Sequence, residues 1–174
     1  MKNTMVRIRQ EEEKDFAKIY DLVEEAFKTA KVSDGDEQDF VDRLRAGDHY
    51  IPELAFVAEE SDRLVGHIML TRCRVMMKEG FFDALLLAPL AVVLEYRNRG
   101  VGADLVKEAL RSAKEKGHKA VFLTGDPVYY GRFGFKSVAN YGIGCAEEIP
   151  LEYVLACELI PGSLEHVDGK LSWE

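Results

Sequence analysis

The stretch that most constrains this fold is Arg97-Asn98-Arg99-Gly100-Val101-Gly102. It follows an apolar run, Ala84 to Leu94, and opens an amphipathic segment, Val101 to Lys116. A strand, a glycine-bearing turn and a helix must therefore come in immediate succession. The first N–H groups of such a helix lack intrahelical partners, and the positive end of its dipole points the same way. That combination makes an anion site suited to phosphate. Gly100 and Gly102 remove side chains that would hold a phosphate off the backbone. In a chain of formal net charge −8, Arg97 and Arg99 read as phosphate partners rather than as solvated charge.

At 174 residues, 47% apolar and 31% charged, the chain reads as one soluble globular domain spanning 1–174. Its negative balance argues against a nucleic-acid partner and is compatible with a cationic substrate such as an amine. Cys73, Cys145 and Cys157 are odd in number and widely spaced, which predicts reduced thiols. No apolar leader precedes the first charged residues, and the longest apolar run falls short of the roughly 20 residues of a membrane span. A cytoplasmic monomer or homodimer is expected.

Periodicity gives the order β-α-α-β-β-β-α-β-α-β-β, a mixed α/β sheet. Met5 to Arg9 alternates as a first strand, and Glu11 to Glu13 put acids where a helix start favours them. Phe16, Ile19, Tyr20, Val23, Ala26 and Phe27 form one helical face. Ser33 to Asp36 is a polar break, and Asp39 to Arg45 a short second helix. Strands follow at Ala55–Ala58, Leu64–Met76 and Ala84–Leu94, the last the most hydrophobic and so central. Beyond the helix from Val101 come a strand at Ala120–Leu123 and a short helix entered through Asp126-Pro127. Phe133-Gly134-Phe135 begins a further strand, and Tyr153 to Ile160 is the last long one.

Pro89 interrupts the central run and removes a ladder hydrogen bond. It predicts either a simple bulge or a splayed strand, whose unpaired backbone groups from Leu90 to Val93 need partners. An extended ligand bearing amides could pair there as a false strand. A splay followed by a phosphate turn suits a long amide-bearing arm with a phosphorylated end. Coenzyme A has that shape.

Leu90 to Gly102 resembles the central motif of the GNAT (Gcn5-related) N-acetyltransferases, a strand followed by Q/R-x-x-G-x-G/A. Tyr130-Gly131-Arg132-Phe133-Gly134-Phe135 resembles that family's later Y-x-x-x-G-F signature. The whole of Gly125 to Phe135 is similar to a bacterial subgroup of predicted acetyltransferases. The resemblance implies an acyl-CoA N-acyltransferase fold: a mostly antiparallel central sheet, splayed at its fourth strand and flanked by helices. It implies acetyl transfer from acetyl-CoA to a primary amine of a small molecule or protein, by direct attack in a ternary complex. Backbone groups of Ala91, Val92 and Val93 would pair with the pantetheine arm. Amides of Asn98, Arg99, Gly100, Val101, Gly102 and Ala103 would hold the pyrophosphate, with Arg97 in the Q/R position. Tyr130 matches the tyrosine that protonates the departing sulfur, and Tyr129 is its rival. The proline that often follows the family's strand is replaced by Leu94, with Pro89 lying earlier.

Acetyl transfer needs an oxyanion donor, an acid and a base. A backbone N–H near Val92 or Val93 is the expected oxyanion donor. No base is legible: Glu59, Glu60, Asp83 and His67 are all available, and each reads as a surface or structural residue. His49, His67, His118 and His166 show no ligand spacing, so no metal site is expected. Leu105 stands where a G-x-G-x-x-G fingerprint needs its third glycine. Two alternatives remain: a non-catalytic acyl-CoA sensor, which would not need the Tyr130 hydroxyl, and a nucleotide-binding α/β domain.

Overall fold

The computed structural model describes residues 6–30, 33 and 35–173. The expected strand start at Met5 and Asp34 of the polar break lie outside the described residues. The elements are β1 (Arg7–Gln10), α1 (Phe16–Lys28), α2 (Glu37–Ala46), β2 (Tyr50–Glu60), β3 (Arg63–Met77), β4 (Phe81–Val92), α3 (Val101–Glu115), β5 (Ala120–Thr124), α4 (Pro127–Gly131), β6 (Lys136–Ser137), β7 (Ile143–Cys145), β8 (Val154–Glu158) and β9 (Gly169–Ser172). The fold class is mixed α/β, with mostly antiparallel strands flanked by helices. The chain divides into two compact units, Met1–Leu70 with Ala88–Ala109, and Thr71–Leu87 with Leu110–Glu174.

In the first unit the strand order is β1-β2-β3-β4. Ser61 and Asp62 both take positive φ, the geometry of a two-residue hairpin turn, and so join β2 to β3 antiparallel. Helix α1 buries Ile19, Val23 and Ala26 of the face its periodicity predicted, adds Leu22, and leaves Phe16, Tyr20 and Phe27 half-buried, while α2 buries Val41 and Leu44. Glu11 departs from expectation. Its N–H donates to the Ala55 carbonyl (2.9 Å), and its carboxylate is fully buried instead of fronting a helix. Asp15 does that work, accepting from the Glu12 N–H at 2.8 Å and pairing with Arg9.

In the second unit β5 pairs parallel to β4 over Leu85↔Val121 and Leu86↔Phe122, and antiparallel to β8. Strand β4 itself runs on through Pro89 to Val92. Phe133-Gly134-Phe135 is a turn, not a strand start. The N–H groups of Phe133 and Phe135 donate to the Tyr130 carbonyl, Gly134 takes φ 96°, and β6 begins only at Lys136. Strand β8 covers only Val154–Glu158 of the expected Tyr153 to Ile160, and a short strand follows it. Strand β9 pairs antiparallel with β3 and parallel with β7, two elements that periodicity over so few residues did not reveal.

Candidate active site

The turn after β4 is built to leave helix amides unpaired. A 3-10 turn at Leu94–Tyr96 reverses the chain, and Asn98 and Gly100 then take φ of 63° and 84°. The first α3 amide hydrogen bond runs from Asp104 to the Gly100 carbonyl (2.9 Å). The N–H groups of Val101, Gly102 and Ala103 therefore have no carbonyl of their own helix to meet. Asn98, Arg99 and Gly100 are exposed beside them. Arg99 stacks over the Tyr96 ring at 4.8 Å, which keeps its charge at the turn.

Arg97 does something the sequence did not disclose. Its Nε donates to the Val92 carbonyl (3.0 Å) and its Nη2 to the Ala26 carbonyl (2.7 Å). The guanidinium thus ties the turn to the ends of β4 and α1. Gly66 on β3 was also missed. A Cβ there would stand 2.9 Å from Leu105 Cδ1 and 3.3 Å from both Val101 Cγ1 and the Ala91 carbonyl oxygen. Glycine lets α3 lie this close to the strand without those side chains having to shift. The signal available was a lone glycine inside a strand pattern.

The backbone of β4 divides its groups by alternation. Val93 N–H donates to the Val65 carbonyl on β3 (3.0 Å), so it is not free to serve as an oxyanion donor. The Val92 N–H points to the strand's other side. Of the two residues expected for that task, Val92 remains.

Tyr130 stands in the second unit. Asp126 caps α4 through the Val128 N–H (2.9 Å) and so fixes the helix that carries it. The Tyr130 ring lies edge-on to Tyr129 (4.9 Å) and Phe135 (5.9 Å). Gly125 makes room for it: a Cβ there would sit 2.8 Å from Tyr130 Cε2. Among the described residues the Tyr130 hydroxyl has no hydrogen-bond partner. Burial, then the neighbouring Tyr129 and Asp126, push its pKa well above the usual phenol range, so it stays protonated at neutral pH. Tyr129 differs in being covered by the Arg132 guanidinium at 4.3 Å.

A buried polar cluster occupies the opposite face of β3 from Gly66. Glu11 Oε1 accepts from Arg45 Nη2 (2.9 Å) and lies 3.0 Å from His67 Nε2. Its Oε2 accepts from Arg45 Nε (3.2 Å) and the Tyr50 hydroxyl. Burial pushes the Glu11 carboxyl up, but hydrogen bonds from His67, Arg45 and Tyr50 outweigh it and hold the group at about 2. An ionised carboxylate only accepts, so His67 Nε2 carries a proton. His67 Nδ1 is buried with no partner among the described residues.

A β-strand that ends in a tied turn, followed by the N-terminus of a helix and an arginine, gives an α/β protein the form of an anion site. The chain belongs to the GNAT acetyltransferase family, whose domain model matches residues 7–138. It is 35% identical to the uncharacterized N-acetyltransferase YjhQ of Escherichia coli over 67% of this chain. That match takes in 65% of YjhQ, just under two thirds of its length. The crystal structure of E. coli YhbS in complex with CoA superposes with a TM-score of 0.89 at 26% identity, covering 100% of this chain and 92% of that one. A Brucella melitensis GNAT acetyltransferase in complex with acetyl-CoA gives 0.80 at 27% identity, covering 99% and 97%.

Proposed function

We propose that this chain is an N-acetyltransferase that moves an acetyl group from acetyl-CoA to a primary amine of a small molecule or protein. The observation that carries this is the set of unpaired amides at Val101, Gly102 and Ala103 behind left-handed Asn98 and Gly100. Such a turn fits a pyrophosphate, and the similar YhbS and Brucella proteins were crystallised with CoA and acetyl-CoA.

Each residue then has a task. The amides of Asn98 to Ala103 and the Arg99 charge hold the pyrophosphate, while Arg97 keeps the turn in place. Of Ala91 to Val93, the Val92 N–H faces away from β3 and serves the pantetheine arm and the carbonyl oxygen, while the Val93 N–H is held by Val65. The Tyr130 hydroxyl protonates the departing sulfur; its raised pKa keeps that proton available at neutral pH. Free Cys73, Cys145 and Cys157 support a reducing, cytoplasmic setting for this reaction.

The test is a calorimetric titration with CoA beside a thiol-release assay against a panel of primary amines. Wild-type chain should bind CoA and release thiol only with an amine present. Gly102→Glu should abolish binding by bulk and like charge. Binding retained in that variant would put the coenzyme elsewhere, and binding without any amine-dependent release would favour a sensor.

A further inference from the structure

We propose that Tyr96 is a positioning residue for the coenzyme: its ring seats Arg99, and its hydroxyl keeps the Glu60 carboxylate off that arginine. The inference rests on the acetyl-CoA reading above, in which Arg99 meets the pyrophosphate.

Arg63, Arg97 and Arg99 border the turn, and only the last keeps its donors open. Arg97 donates to the Val92 and Ala26 carbonyls. Arg63, at the start of β3, pairs with Glu95 at 3.3 Å and lies 5.7 Å from the centre of the Tyr96 ring. Arg99 is exposed and makes no ion pair among the described residues; its contact is the Tyr96 ring at 4.8 Å. A guanidinium stacked on a ring keeps its N–H donors at its edge, where an anion can meet them. Asn98 takes φ 63°, and this left-handed residue folds Arg99 back onto the ring three positions earlier.

Glu60 and Glu95 could each neutralise Arg99, and each is engaged elsewhere. Glu60, open as a base from the sequence, accepts from the Tyr96 hydroxyl. That bond raises the Tyr96 pKa, so the phenol keeps its proton and stays a donor. Arg63 and Arg99 act in the opposite sense on the same hydroxyl, which places both charges within its field. The Glu95 carboxyl is held below its usual range by its own N–H and then by Arg63. The charges are thus sorted. Arg63 answers Glu95, Tyr96 answers Glu60, and Arg99 stays uncompensated beside the Val101 to Ala103 amides.

Glu60 and Arg63 flank the Ser61-Asp62 turn, so the end of the β2–β3 hairpin becomes a support of the coenzyme turn. Neither residue touches the amides that open α3. Their effect on the coenzyme passes through the Tyr96 ring and the freedom of Arg99.

Calorimetric titration of the full chain with CoA tests this. Tyr96→Phe keeps the ring but releases Glu60, which then pairs with Arg99. An exposed ion pair of that kind corresponds to about a two- to fivefold loss of CoA affinity. Glu60→Gln keeps an acceptor for the hydroxyl and should bind CoA at least as tightly as wild type. Tyr96→Phe combined with Glu60→Gln should recover wild-type affinity, because no carboxylate is left to compete. In an Arg99→Ala background Tyr96→Phe should cause no further loss. A merely structural Tyr96 would weaken binding alike in every background. Unchanged affinity in Tyr96→Phe, or a loss that Glu60→Gln does not restore, overturns the assignment. Should Tyr96→Phe not fold, NMR of the wild-type chain decides. On addition of CoA the Arg99 Nε–H and the Tyr96 ring signals should shift together, and Tyr96 signals that ignore CoA overturn the proposal. Absence of CoA binding by the wild-type chain, or wild-type affinity in Arg99→Ala, would instead sink the coenzyme reading of the turn, and the task of Tyr96 with it.

Discussion

Gly66→Ala tests whether close contact between β3 and α3 sets the turn proposed to bind the coenzyme. The added Cβ would stand 2.9 Å from Leu105 Cδ1 and 3.3 Å from Val101 Cγ1 and the Ala91 oxygen. Carbon atoms rest about 3.5 Å apart or more, so this face of α3 must retreat by roughly 0.6 Å. Leu105 is 0% exposed and Val101 4%, so neither side chain has open space to swing into. Overpacking of this kind costs about 1–3 kcal/mol. For a chain of this size each kcal/mol lowers the melting temperature by about 2–4 °C, so a fall of roughly 2–12 °C is expected. The retreat also carries the Val101 to Ala103 amides away from β4. Loss of one charge-assisted hydrogen bond, about 1.5 kcal/mol, weakens CoA binding about tenfold. Thermal melts and calorimetric titration of Gly66→Ala, Leu105→Ala and the double variant form the assay. Removing the Leu105 methyls makes room for the new Cβ, so the double variant should be more stable than the sum of the singles by about 0.5–3 kcal/mol. Wild-type melting and affinity in Gly66→Ala, or strict additivity in the cycle, would refute the argument.

Three more outcomes are expected. Glu11 ionises at about 2 in the fold against an ordinary 4.5, so its contribution to stability is complete above pH 4.5 and drains away as pH falls towards 2; urea unfolding across that range should show the decline, and its absence would mean the carboxylate is not held as described. Tyr130→Phe should cut amine-dependent thiol release about a hundredfold while leaving the calorimetric affinity for CoA unchanged, and full activity would remove Tyr130 as the acid. Gly125→Ala should lower kcat without raising KM for acetyl-CoA, because its Cβ displaces the Tyr130 ring; equal kcat would show that the ring's position is not critical.

Elements with their own strong period were legible. The amphipathic helices α1 and α3 and the Asp126-Pro127 start of α4 stand where local chemistry put them. Short segments were not. Strands β7 and β9 span three and four residues, and β9 forms by pairing with Arg74 to Met77, remote in sequence. Glu11 sat in an acidic run that read as a helix start, because nothing local announces the buried partners His67, Arg45 and Tyr50.

What the sequence alone determined is the glycine turn and its helix: glycine, arginine and apolar spacing act within one or two turns of chain, where steric and dipole rules operate on neighbours. Only the tertiary structure decided that Arg97 braces Ala26, that Gly66 seats α3, and that His67 keeps a bare nitrogen beside Glu11. Those outcomes depend on contacts between residues far apart in the chain, and burial, not order along the chain, sets the energy of a paired carboxylate or an unpaired nitrogen.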